Sequence, residues 1–298
     1  MSVFAAQFEQ AKNADGFLAA LDQSGGSTPK ALKAYGIPDD SYVAGEESMY
    51  DMVHAMRTRI MTSKCFTGDK ILGAILFENT MDRQVEGKTT PAYLWEEKKC
   101  IPFLKCDKGL AALENGVQLM KPIPGLDDLL ARAKGLNVFG TKMRSVIKEA
   151  NEEGIQAIVD QQFEVGKQIV AAGLVPILEP EVDITSPDKE KIEEILKGKL
   201  LAGLDALGEG QDVMLKLSLP TVVNLYSDLI AHEKCVRVVA LSGGYPRDEA
   251  NVILAKQDGM IASFSRALME GVYHNFSEEE FEAKLGAGID SIYEASKK

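Results

Sequence analysis

Three observations on the sequence predict an α/β protein that folds as one (β/α)8 TIM barrel over residues 1–298. Eight short apolar runs recur along the chain, segments of helical periodicity separate them, and the turn after the first run lacks a dinucleotide-binding glycine pattern. The runs cover 16–22, 71–77, 102–105, 137–142, 174–179, 213–216, 236–242 and 260–263. They are apolar almost throughout instead of alternating, as parallel strands covered on both faces are. Strands that alternate with helices either close into a barrel or form an open doubly wound sheet. The open sheet would carry Gly-x-Gly-x-x-Gly after its first strand, where this chain has Asp22-Gln23-Ser24-Gly25-Gly26-Ser27. The length of 298 residues would suit two average domains or one barrel of about 250 residues. Without a linker, a repeat or a low-complexity stretch, one domain is the simpler account.

Between the runs, apolar residues fall at helical spacing. Met49, Met52, Val53, Met56 and Ile60 form one stripe, which reads as core packing by an adaptable side chain and not as a cofactor box. Trp95, with Lys98 and Lys99 nearby, is expected in an exposed loop. Ser186-Pro187 predicts an N-cap and first turn for a helix whose inner face is Ile192, Ile195, Leu196 and Leu200. Near the end, Ser277-Glu278-Glu279-Glu280 is a capping box before the stripe Phe281, Leu285, Ile289 and Ile292.

The 33 basic and 45 acidic residues give a net charge of −12, which argues against a general nucleic-acid or membrane-surface role. No apolar stretch approaches the ~18 residues of a spanning helix, and the first residues do not read as a signal peptide, so a cytoplasmic location is expected. The four cysteines show no Cys-x-x-Cys pairing and are expected as free, mostly buried thiols. His54, His232 and His274 are too few and too scattered for a His-rich catalytic metal centre.

The chemistry is expected where the runs end. The polar or ionisable residues Asp22, Lys105, Lys142, Glu179, Lys216 and Ser242 finish six of these runs. Any one of these reads equally well as the first solvated residue after a strand. Together, on the one face where barrels build their active sites, they describe a shared cavity. Residues two apart on a strand point the same way, which pairs Lys142 with Arg144, Glu179 with Glu181, and Lys105 with Asp107. A lysine desolvated beside another cation sheds its proton and becomes a nucleophile, and a neighbouring carboxylate then moves protons. Late in the chain, Leu241-Ser242-Gly243-Gly244 and Ser263-Phe264-Ser265-Arg266 follow the last two runs. Backbone N–H groups at glycines, a hydroxyl and an arginine there suit a phosphate, although Ser-Gly-Gly alone also suits an ordinary turn.

These residues resemble the class I fructose-bisphosphate aldolases of the bacterial type. The matching pieces run in family order across most of the chain: Leu21-Asp22-Gln23-Ser24-Gly25-Gly26-Ser27, Ile75-Leu76-Phe77-Glu78, Leu104-Lys105-Cys106-Asp107-Lys108-Gly109, Lys142-Met143-Arg144, Glu179-Pro180-Glu181, Leu215-Lys216, Leu241-Ser242-Gly243-Gly244 and Ser263-Phe264-Ser265-Arg266-Ala267-Leu268. The resemblance implies a lyase that reversibly cleaves fructose 1,6-bisphosphate to dihydroxyacetone phosphate and glyceraldehyde 3-phosphate, in glycolysis or gluconeogenesis. It implies no metal and no cofactor beyond a covalent imine between substrate and Lys216. Glu179 would move protons during imine formation, Asp22 would assist carbon–carbon cleavage, Glu181 would shape proton traffic, and Lys142 would balance charge and help to keep Lys216 neutral. Ser242, Gly243 and Arg266 match one phosphate site, and Ser27, Lys105 and Arg144 match positions near the other.

The resemblance has departures. Gln23 stands where animal-type members carry glutamate, and Met143 where they carry tryptophan. Tyr293 sits inside a helical pattern, so the role of their terminal tyrosine does not transfer to it. The implied partners are small-molecule sugar phosphates, with no nucleic acid and no membrane; a homo-oligomer is left open. Two other readings compete: a Schiff-base aldolase for another phosphorylated sugar, of the deoxyribose-phosphate aldolase or transaldolase kind, and a catalytically silent sugar-phosphate-binding barrel.

Overall fold

The computed structural model describes residues 2–297, so the two end residues of the expected 1–298 domain lie outside the described residues. Eight parallel strands close on themselves: β1 Phe17–Leu21, β2 Ile71–Leu76, β3 Ile101–Lys105, β4 Gly140–Ile147, β5 Val175–Val182, β6 Val213–Ser218, β7 Cys235–Leu241 and β8 Ile261–Phe264. Each strand pairs with its successor, and β8 returns to β1 with Leu18 opposite Ser263. The chain is a (β/α)8 TIM barrel, and every expected run falls on a strand.

Side-chain alternation divides the core in two. Leu18, Ala20, Phe103, Ile177, Met214 and Val239 fill the barrel interior, whereas Ala19, Leu21, Leu104, Leu178, Leu215 and Ala240 pack outward against the helices. The inward parity, carried two residues further, aims Asp22, Lys105, Glu179 and Lys216 into the mouth at the strands' C-terminal ends. In β4 the outward residues are Met143 and Ile147, so Lys142 and Arg144 face inward. Gly140, below them, meets the Val175 carbonyl so closely that a Cβ would lie 2.1 Å from its oxygen. Only glycine lets β4 and β5 run together there.

The opposite end is closed by the first helix, Val3–Asn13. Phe4 and Phe8 stand 5.2 and 6.2 Å from the Phe139 ring, which meets Phe103 at 5.5 Å. Arg237 donates to the carbonyls of Ala11, Lys12 and Ala14 at that helix's end. Of four expectations on the helices, two are met and two are not. The Met49 stripe is core, in helix Glu47–Thr62. The capping box at Ser277 forms, and Phe281, Leu285, Ile289 and Ile292 are all buried behind it. Ser186, however, does not cap a helix: the helix is Lys189–Asp205 with Asp188 at its N-cap, and the Ser186 hydroxyl donates to the Lys148 carbonyl. Trp95 lies in helix Thr90–Glu96, half-buried against the barrel core, not in an exposed loop. No described helix is long and apolar enough to cross a membrane.

Candidate active site

Register brings the strand-end ions together. Lys105 pairs with Lys142 across β3 and β4, and Arg144 with Glu179 across β4 and β5. Four charged side chains, Asp22, Lys142, Glu179 and Lys216, are buried as one chain of ion pairs. Lys142 Nζ lies 2.6 Å from Asp22 Oδ2 and 3.0 Å from Glu179 Oε2, while Lys216 Nζ lies 3.1 Å from Glu179 Oε1. Although the Lys142 ammonium is so near, Glu179 Oε2 accepts no hydrogen bond from a described residue.

Burial and charge act against each other in this cluster. Burial would raise the proton affinity of Asp22, but the cations Lys142 and Lys216 outweigh it and bring its pKa down to about 2. Glu179 follows the same logic: desolvation opposes ionisation, Lys142 and Lys216 favour it, and the carboxyl ends below its usual range. Burial works against the charge on Lys142 too, yet Asp22 and Glu179 overcome it and hold the ammonium protonated well above the usual lysine range.

A second network flanks the first. Lys105 Nζ donates to Asp107 Oδ1 at 2.6 Å and to the Asp107 carbonyl at 2.9 Å. The same carboxylate accepts the backbone N–H groups of Gly109 and Arg144, and Arg144 in turn pairs with Glu181. The shared directions expected for Lys105 and Asp107, for Lys142 and Arg144, and for Glu179 and Glu181 are all present in these two networks.

After β7, Ser242 is buried, and Gly243 takes a left-handed φ of 63° against Ile184. A Cβ on Gly244 would sit 3.5 Å from the Arg266 guanidinium, so Arg266 lies against the glycine turn. Arg266 is exposed and forms no ion pair with a described residue, which leaves its charge free for a ligand. Ser27 stands apart from these groups. It opens helix Ser27–Ala34, and its hydroxyl is exchanged with the backbone of Ser24, accepting from the N–H and donating to the carbonyl. A cavity of about 640 Å³ lies at the opposite end of the barrel beside Phe4, Phe8, Asn137 and Asp212. None of the strand-end ionisable residues lines it.

Sequence reasoning passed over Arg57. It lies on the apolar stripe of helix Glu47–Thr62, four residues after Val53, and is fully buried. A charged residue on an otherwise apolar stripe was the available signal. Asp107, noted only for its direction, turns out to anchor both Lys105 and the Arg144 backbone.

The comparisons with known proteins agree with the geometry. The family model described as fructose-bisphosphate aldolase class-I matches residues 8–220. A solved fructose-bisphosphate aldolase from Plasmodium falciparum, in complex with TRAP and a small-molecule inhibitor, superposes with a TM-score of 0.79 at 22% identity, covering 99% of this chain and 92% of that one. The protein Cgl0159 from Corynebacterium glutamicum is more distant, with a TM-score of 0.54 at 12% identity over 99% of this chain and 92% of that one. The family match spans well over half of the chain, and its stretch contains the buried quartet Asp22, Lys142, Glu179 and Lys216. The chain belongs to the class I fructose-bisphosphate aldolases.

Proposed function

We propose that the chain catalyses the reversible cleavage of fructose 1,6-bisphosphate to dihydroxyacetone phosphate and glyceraldehyde 3-phosphate, an aldehyde-lyase reaction that runs through an imine on Lys216 without a metal. The observation that carries this reading is the unequal pairing of two lysines on one carboxylate. Lys142 has two carboxylate partners, whereas Lys216 has Glu179 alone. An amine must shed its proton before it can attack a ketone, so Lys142 is the fixed cation and Lys216 the nucleophile.

The steps follow from that assignment. Glu179 takes the proton that Lys216 sheds, and the amine attacks the C2 carbonyl to give a carbinolamine. Glu179 then returns the proton to the carbinolamine hydroxyl, water leaves, and the protonated imine remains. A carboxyl whose proton affinity is held down gives its proton up readily. The imine accepts the electron pair of the C3–C4 bond while Asp22 takes the proton of the C4 hydroxyl, and the aldehyde departs. Protonation of the enamine at C3 and hydrolysis of the imine release dihydroxyacetone phosphate and restore the amine. Glu181, paired with Arg144, shapes the field around this traffic. Ser242, Gly243 and Arg266 hold the phosphate on C1; Ser27, Lys105 and Arg144 face the one on C6. A cytoplasmic location and a homo-oligomer are compatible with this reading.

Borohydride reduction in the presence and absence of dihydroxyacetone phosphate, followed by peptide mass mapping, tests the mechanism. The expected result is substrate-dependent labelling at Lys216, with turnover unaffected by excess chelator. Labelling at Lys142, or turnover that chelator abolishes and zinc restores, would overturn it.

A further inference from the structure

Resting on the aldolase reading above, we propose that Arg57 and Gln23 form a buried clamp that sets where Asp22 stands relative to the Arg266 phosphate arm. Arg57 is fully buried and forms no ion pair with a described residue. A guanidinium in that position is costly unless its donors are used. Nη1 donates to Thr80 Oγ1 at 2.7 Å, in the short helix after β2, and Nη2 donates to the Gln23 carbonyl at 2.6 Å and to Gln23 Oε1 at 3.1 Å. Because a guanidinium only donates, the amide oxygen of Gln23 must face it, and the amide nitrogen is turned the other way. That nitrogen donates to Ser265 Oγ at 2.6 Å.

The chain Thr80–Arg57–Gln23–Ser265 thus links the segments that follow β2, β1 and β8, three strands adjacent in the barrel. Gln23 directly follows Asp22 in sequence, and Ser265 directly precedes Arg266. The cleavage base and the phosphate-holding arginine are therefore each one residue from the same hydrogen bond. Arg57 and Gln23 touch no reacting atom on this reading. They are positioning residues, and what they fix is the separation between the group that anchors C1 and the group that takes the C4 proton.

Imine formation with dihydroxyacetone phosphate needs the phosphate arm and Lys216 but no C4 proton transfer. Cleavage of the bisphosphate needs both ends of the clamp in place. Gln23→Leu removes the side-chain hydrogen bonds to Arg57 and Ser265, and with them a longer one to the Ala20 carbonyl, whereas Gln23→Glu keeps an acceptor for Arg57 and lets Ser265 donate to the carboxylate. The expected outcome for Gln23→Leu is a fall in kcat for fructose 1,6-bisphosphate of about tenfold. Borohydride trapping at Lys216 with saturating dihydroxyacetone phosphate should stay within about twofold of the parent, and Gln23→Glu should recover most of the lost kcat. Arg57→Met should show the same split; if it does not fold, the two Gln23 variants decide alone. Gln23→Leu with unchanged kcat, loss of trapping in step with turnover, or no recovery in Gln23→Glu would each overturn the clamp. A parent protein that is neither trapped nor active would instead sink the aldolase reading itself.

Discussion

The two ends of this barrel are built from opposite materials. At the strands' N-terminal end, Phe4, Phe8, Phe103 and Phe139 close the floor with ring contacts under a capped helix. At the other end, Asp22, Lys142, Glu179 and Lys216 are buried as charges that satisfy one another. Aromatic packing removes apolar area from water and asks for no particular protonation state. Buried ions give little net stability against well-packed apolar side chains, but they fix which group holds a proton. On the proposed reading, the floor therefore carries stability and the mouth carries chemistry, on the same eight strands.

The largest effect expected on the chemical side alone is that of Glu179→Gln. The amide keeps the shape of the side chain but can neither take the Lys216 proton nor return it. A fall in kcat of about 10² to 10⁴ is expected, with KM within a few fold, because the lost task is proton transfer. Steady-state kinetics with single-turnover imine trapping reads this directly. A rise in KM at unchanged kcat would mean that Glu179 merely binds, and would erase the contrast at its centre.

That contrast was half legible in the sequence. Strands covered on both faces leave near-continuous apolar runs, which is why all eight were readable. Their C-terminal limits were less so: β4 continues five residues past Lys142, β5 three past Glu179 and β6 two past Lys216. There the inward face turns ionic while the outward face stays apolar, so a run of hydrophobicity ends before the strand does. The ionic cluster could be named because parity aims inward residues at one cavity, but its pairing could not. Which of two lysines holds two carboxylates depends on register between strands distant in sequence. Arg57 escaped for a related reason: a charge on a helical stripe announces burial without naming its partners, Gln23 and Thr80, which follow two different strands.

On the floor, Phe139→Ala is expected to lower stability by about 4 kcal/mol, since Phe139 is fully buried and meets three other rings. The urea midpoint should fall, and kcat at a temperature where the variant is folded should stay within about twofold of the parent. Loss of kcat in proportion to stability would show that the two ends are not separable, and the division of labour between them would have to be given up.

The smallest expected effect separates the ends by pH. Asp22 has a folded pKa of about 2 against an ordinary value of 3.8, so it binds its proton more weakly folded than unfolded. Its contribution to stability, about 2 kcal/mol, is therefore fully present above the ordinary value and lost as pH falls from about 4 towards 2. Glu179, shifted in the same direction, adds to the loss over the same limb. Asp22→Asn removes the titrating group, so the variant should be less stable than the parent at pH 7 by about that amount, and the gap should close on acidification. The gap for Phe139→Ala should stay constant across the same window, because no charge enters it. Chemical denaturation of the parent and both variants at pH 7 and pH 3 makes the comparison. If the Asp22→Asn gap were also constant, the mouth would owe its stability to packing, and the buried quartet would be no more pH-sensitive than the aromatic floor.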